Sequence, residues 1–311
     1  MPLSPRTRYR LERWRTNIKN LFHSDPSSAR PRICPSCGSL AGINTSHCPQ
    51  CGANLNFSLA AASKSLSRFL PQTSPATYFI VAVCGVLYAL SYLLTIRTTG
   101  GGLPAGGLLD IGGISGQVLI RLGGSLPLPF DIVEPWRLIT AIFLHASLIH
   151  IGFNLWVLID VGPIVEDLYG SARYFFVFLF TGAFGYLVSA WFNHLSVGAS
   201  GGLLGLIGLL LAASMGRSSA GAQMLRSRMI WYLVYIAIFG LVSIRMNYGT
   251  DNAAHAGGFV AGFVLGKILS DRRPAGPAEE RRAQAMGWLA GLAVVASFTM
   301  MLLNYFHGQP S

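Results

Sequence analysis

From residue 76 onward the chain is a series of apolar runs separated by short polar breaks. The runs fall at about 76–96, 138–160, 173–193, 200–216, 230–246, 254–271 and 286–305. Each is near the ~20 residues that a helix needs to cross a hydrocarbon core, or a little shorter. Charged residues make up 11% of the chain and hydrophobic ones 52%, with mean hydropathy +0.49. A soluble domain carries about a quarter charged residues. The pattern therefore predicts an all-α polytopic membrane protein and excludes one large soluble core.

Charge sets the expected orientation. The formal net charge is +11. Arg6, Arg8, Arg10, Arg13, Arg15, Lys19, Arg30, Arg32, Lys64 and Arg68 precede the first long apolar run, against only Glu12 and Asp25. That bias places the N-terminus in the cytoplasm against anionic lipid, with no nucleic-acid partner expected. Residues 1–30 lack the apolar core of a signal peptide. The 217–229 and 272–285 breaks then lie inside, with Arg217, Arg226, Arg228, Arg272, Arg273, Arg281 and Arg282, and the C-terminus lies outside. The 161–172 break departs from this, with Glu166 and Asp167. The expected location is a bacterial inner membrane.

Ahead of the spans stands a different module. In residues 6–22, Leu11, Trp14, Ile18, Leu21 and Phe22 share one helical face, with Arg13, Arg15 and Lys19 off it. An interfacial helix and a disordered basic tail fit equally. Cys34-Pro-Ser-Cys37-Gly and Cys48-Pro-Gln-Cys51-Gly repeat one knuckle. Two such thiolate pairs match a tetrahedral structural Zn²⁺ site, and the span is too short to fold without the metal. The segment resembles a zinc ribbon, and its binding partner, if it has one, is not written in its sequence. The expected divisions are a basic segment (1–33), the ribbon (34–56), a Ser-rich linker (57–75), a membrane core (76–271), a cytoplasmic linker (272–285) and a further helix with its tail (286–311).

The long outer connection at 97–137 is rich in Gly, Pro and Leu, and its apolar pieces are too short to span. It ends in Trp136-Arg137, which suits a headgroup anchor. Polar residues within the apolar runs are few, and such residues are costly in lipid and tend to mark function. The second run carries His145, His150 and Asn154, of which the last two are four apart and share a face. The fourth opens Gly198-Ala199-Ser200-Gly201, and the sixth opens Asp251-Asn252-Ala-Ala-His255. Gly201 and Gly205 make one small-residue stripe, and Gly258, Gly262 and Gly266 another, so the two helices can pack closely. Ser200 and His255 both start inward-running helices and so sit at similar depth.

That placement suits nucleophilic catalysis. Ser200 would attack a carbonyl while His255 takes and returns the proton. The Ser200 N–H, His150 and Asn154 would hold the oxyanion. No carboxylate is placed to orient His255, so the unit is a dyad, and no catalytic cofactor is needed. Blander roles stay open residue by residue: a helix-packing serine, an interhelical His150–Asn154 pair, a core histidine or metal ligand at 255.

The chain resembles the rhomboid intramembrane serine proteases over residues 76–271. The likeness rests on GxSG at Gly198–Gly201, on His145, His150 and Asn154, on Ala254, His255, Gly258 and Gly262, and on Trp136-Arg137. The resemblance implies a six-helix core with a seventh, C-terminal helix added and a water-filled cavity facing outward. It implies Ser200 as nucleophile, His255 as base, and His150 and Asn154 at the oxyanion. Substrates would be single-pass membrane proteins cut in or near the lipid bilayer. They would reach the site past the fifth helix, where Trp231, Tyr232, Tyr235 and Phe239 form a bulky face and Met246–Thr250 a cap. A catalytically silent relative that only binds transmembrane segments is the alternative.

Overall fold

The computed structural model describes residues 32–33, 39–41, 45, 49–50, 74–100, 111–192, 195–245, 249–269 and 271–307. The chain divides into two compact units, Met1–Leu70 and Pro71–Ser311. In the first, β1 (Arg32–Ile33) pairs antiparallel with β2 (Leu40–Ala41), Arg32 opposite Ala41 and Ile33 opposite Leu40. Cys34, Cys37, Cys48 and Cys51, and the 6–22 segment, lie outside the described residues.

The second unit is helical. In chain order come α1 (Pro75–Thr98), the short α2 (Gly116–Arg121), α3 (Phe130–Val133) and α4 (Arg137–Thr140) of the outer connection, then α5 (Leu148–Tyr169) and α6 (Ser171–Ser189). α7 (Ser200–Ser214), α8 (Ala220–Arg245), α9 (Asn252–Ile268) and α10 (Pro277–His307) complete it. Five of these, α1, α5, α6 with its 3₁₀ extension, α8 and α10, are long and apolar enough to cross a membrane. The chain is thus an integral membrane protein. All seven expected runs coincide with helices, but α7 and α9 fall short of spanning length. At 15 and 17 residues they extend only about 22 and 26 Å against a core of about 30 Å. Helices enclosed by protein need not reach both interfaces. α7 meets this condition, with Gly201–Leu210 buried throughout.

Glycine seams hold α7 in place. A Cβ on Gly258, Gly262 or Gly266 of α9 would fall against the carbonyl oxygens of Gly201, Gly205 and Leu209 of α7. On the other side, Gly202 and Gly205 meet Phe178 and Thr181 of α6, and Gly185 of α6 meets the Ala254 carbonyl. Backbones at this spacing leave no room for side chains. α10 lies against α6, with Gly287 over Ala172 and the Phe298 ring 5.7 Å from that of Phe143. α8 and α10 are the least enclosed of the long helices, and α8 buries only Met229, Tyr232, Gly240 and Ser243.

Four boundaries differ from expectation, each for a local reason. The second run is not one helix from 138. α4 ends in a 3₁₀ turn (Ala141–Phe143), Leu144 is extended, and the Ser147 hydroxyl caps α5 by accepting from the His150 N–H at 3.2 Å. His145 therefore precedes the helix. At its far end α5 runs through the expected 161–172 break to Gly170, whose φ is +82°. Glu166 is buried there because it caps α1. It accepts from the N–H groups of Ala76 (2.9 Å) and Thr77 (3.0 Å) and the hydroxyls of Thr77 (2.8 Å) and Ser171 (2.7 Å). These are donors a helix start leaves unpaired. α8 and α10 each begin about ten residues earlier than expected, since polar first turns extend both apolar runs.

Trp136 and Arg137 are no headgroup anchor, being 8% and 4% exposed. The guanidinium donates to Glu134 (2.6 Å) and to the carbonyls of Ile120 (2.7 Å) and Gly124 (3.3 Å), and lies over the Trp136 ring. The pair knots the outer connection together. Asp131 does the same nearby, accepting from the Ser125 hydroxyl (2.6 Å) and the Leu126 N–H (2.8 Å). Burial raises its carboxyl above the ordinary range.

Candidate active site

Ser200 is the first residue of α7 and His255 sits in the first turn of α9. The Gly201–Gly258 contact brings these two helix starts together, and His255 Nε2 lies 2.8 Å from Ser200 Oγ. This is hydrogen-bond distance between a nucleophile and a base. His255 Nδ1 is buried with no partner among the described residues, so no carboxylate orients the ring from behind.

The segment leading into Ser200 is held from three sides. Gly198 has φ +126°, and a Cβ there would come within 2.7 Å of the His150 ring. Its N–H donates to the Ala141 carbonyl (2.9 Å), and its carbonyl accepts from the Tyr186 hydroxyl (2.5 Å). The next residue, Ala199, donates its N–H to His145 Nε2 at 3.5 Å. His145, fully buried, stands edge-on to His150 with ring centroids 5.2 Å apart. His150 Nδ1 accepts from the Ala146 N–H at 3.4 Å. Asn154 donates through Nδ2 to the His150 carbonyl at 2.8 Å, and its Oδ1 is buried without a partner among the described residues.

The structure thus brings Ser200 and His255 together and sets His150 against Gly198, two residues before Ser200. Asn154 lies one turn below His150 on α5. Tyr186 and Asp251 belong to the same assembly and were not singled out by the sequence. Tyr186 is an aromatic in an apolar run, indistinguishable there from core. Asp251 caps α9, its side chain accepting from the Ala254 N–H at 2.8 Å. Its other partners are the hydroxyls of Ser189 and Ser196, more than fifty residues away in the chain. Among the described residues no three His, Cys, Asp or Glu side chains converge as metal ligands.

A cleft of about 260 Å³ adjoins His255 between α7, α8 and α9, lined by Leu204, Leu233, Ile236, Ala237, Asn252, His255, Ala256 and Phe259. Of the expected bulky face of α8, only half turns inward. Tyr232 meets Trp156 of α5 and Phe239 meets Phe153, with ring centroids 6.1 and 6.2 Å apart. Trp231 and Tyr235 stack on each other and are 55% and 60% exposed. The four positions span about 100° of the helix surface, with 232 and 239 at the edge toward α5. Met246–Tyr248, three of the five residues of the expected cap, lie outside the described residues.

Comparison with known proteins shows what the segment around these residues resembles. Residues 133–272 match the Rhomboid domain. The chain is 33% identical over 194 residues to RHOMBOID-like protein 6, mitochondrial, of Arabidopsis thaliana, covering 57% of this chain and 62% of that one. It is 32% identical over 165 residues to rhomboid protease GluP of Bacillus subtilis, covering 52% and 32%. It is 30% identical over 184 residues to rhomboid-like protease 2 of Toxoplasma gondii, covering 56% and 62%. The chain spans less than two thirds of the length of each of these relatives. The matched domain begins after α1 and most of the outer connection and contains His145, His150, Asn154, Ser200 and His255. The segment from α4 to the end of α9 thus resembles a Rhomboid domain.

Proposed function

We propose that this protein is an intramembrane serine endopeptidase that cuts transmembrane segments of single-pass membrane proteins near the outer face. The observation that carries the reading is the 2.8 Å contact between Ser200 Oγ and His255 Nε2 at two adjoining helix starts. Ser200 Oγ bonds to the scissile carbonyl carbon as its proton passes to Nε2. The same proton then leaves with the amine, and water, deprotonated by His255, releases the acyl group. The developing oxyanion takes the Ser200 N–H, one of the unpaired donors at the start of α7, together with His150 and Asn154. Asn154 Nδ2 carries a second N–H beyond the one it gives to the His150 carbonyl.

The basic N-terminal segment and the arginines of the 217–229 and 272–285 segments support a cytoplasmic N-terminus and an outward C-terminus. A bacterial inner membrane is part of the proposal. So is one structural Zn²⁺ held by Cys34, Cys37, Cys48 and Cys51, supported by the donor set and spacing.

The test uses a fluorophosphonate probe and a tagged single-span substrate. Wild type is expected to be labelled and to cleave, while Ser200→Ala and His255→Ala abolish both without loss of fold. His150→Ala should slow cleavage by about 10²-fold or more. Cleavage that persists in Ser200→Ala refutes the mechanism, and a folded wild type that neither labels nor cleaves favours a silent binding protein.

A further inference from the structure

The Ser200–His255 pair has no carboxylate behind its imidazole, yet a carboxylate holds both of the segments that carry it. Asp251 Oδ1 accepts the N–H of Ala254, the residue before His255, at 2.8 Å. Its Oδ2 accepts two hydroxyls, from Ser189 at the end of α6 and from Ser196, four residues before Ser200. Both serines are buried, at 1% and 5% exposure. Ser196 is fixed further by backbone pairing with Ser125, N–H to carbonyl at 3.0 Å in each direction. Hydrogen bonds to an ionised acceptor are about twice as strong as neutral ones. A helix cap needs only the Ala254 bond. The two hydroxyl bonds do something a cap does not: they tie the start of α9 to the chain that enters α7.

We propose that Asp251 is a positioning residue, a clamp that sets the distance between Ser200 Oγ and His255 Nε2 by joining their two supporting segments. The inference rests on the serine-protease reading above. It follows that the geometry of the clamp sets the rate. Asparagine is isosteric: its Oδ1 can cap Ala254 while Nδ2 donates to the two hydroxyls.

The experiment measures fluorophosphonate labelling of Ser200 in the full chain, separating the maximal rate from probe affinity, with thermal stability in the same micelles. Asp251→Ala should lower the maximal rate by about tenfold to a hundredfold, with affinity within about twofold. Asp251→Asn should recover most of that rate. The double variant Ser189→Ala/Ser196→Ala keeps both the cap and the charge, and should lose rate while melting within a few degrees of wild type. If Asp251→Ala fails to fold, the other two variants decide. A double variant that labels at the wild-type rate overturns the clamp, as does Asp251→Asn performing no better than Asp251→Ala. Wild type that shows no Ser200-dependent labelling fails the parent reading instead and takes the clamp with it.

Discussion

A methyl group added at Gly198 meets two obstacles. The backbone there has φ +126°, a region that essentially only glycine occupies, and the new carbon would lie within 2.7 Å of the His150 ring. Strain of this kind costs on the order of 1–3 kcal/mol before any clash is counted. Gly198→Ala should therefore lower the melting temperature and, by displacing His150 and the Ser200 segment together, abolish cleavage. Gly152 on α5 is the matched control, since a Cβ there meets nothing within 4 Å, and Gly152→Ala should melt and label like wild type. Equal tolerance of both changes would contradict the packing described. At this scale the sequence was most informative where rare residue types stood in apolar surroundings, as Ser200, His150 and His255 do. It was silent on Tyr186 and on Asp251, because their significance lies in partners brought together only by the fold.

At the scale of elements, the glycine stripes of α7 and α9 were legible because their spacing is a statement about a helix face, and the faces do meet. Element ends were less so. Asp160, Glu166 and Arg228 each look like the end of an apolar run, but each lies within a helix and has its partners. Glu166 caps α1, and Asp160 accepts from both Arg228 and Tyr232 of α8. Otherwise α8 packs along α7, leans on α5 through two aromatic pairs and exposes much of its apolar surface. The Asp160 contacts are therefore the main polar restraint on this helix. Their strength is limited, since the side chains are 28% and 46% exposed in the Arg228 pair. Arg228→Ala should speed amide exchange over residues 220–245 relative to α6 and α7, with fluorophosphonate labelling of Ser200 unchanged. Uniform exchange across the three helices would show that α8 is held by its apolar contacts instead.

At the scale of the whole molecule, the chain joins two kinds of stability. The unit at Pro71–Ser311 is held by close helix packing, and every contact described around Ser200 and His255 comes from within it. The unit at Met1–Leu70 has few apolar residues between its four cysteines, too few for a core of its own. The proposed Zn²⁺ would supply the folding free energy of residues 34–52. About one Zn²⁺ per chain is expected in the purified protein by elemental analysis, and Cys34→Ser/Cys37→Ser should remove it. Because the described hydrogen bonds around Ser200 and His255 are made within the second unit, loss of the metal is expected to leave Ser200 labelling at the wild-type rate. A metal-free wild type would refute the ribbon. Labelling that falls in step with the metal would mean that the ribbon governs the protease.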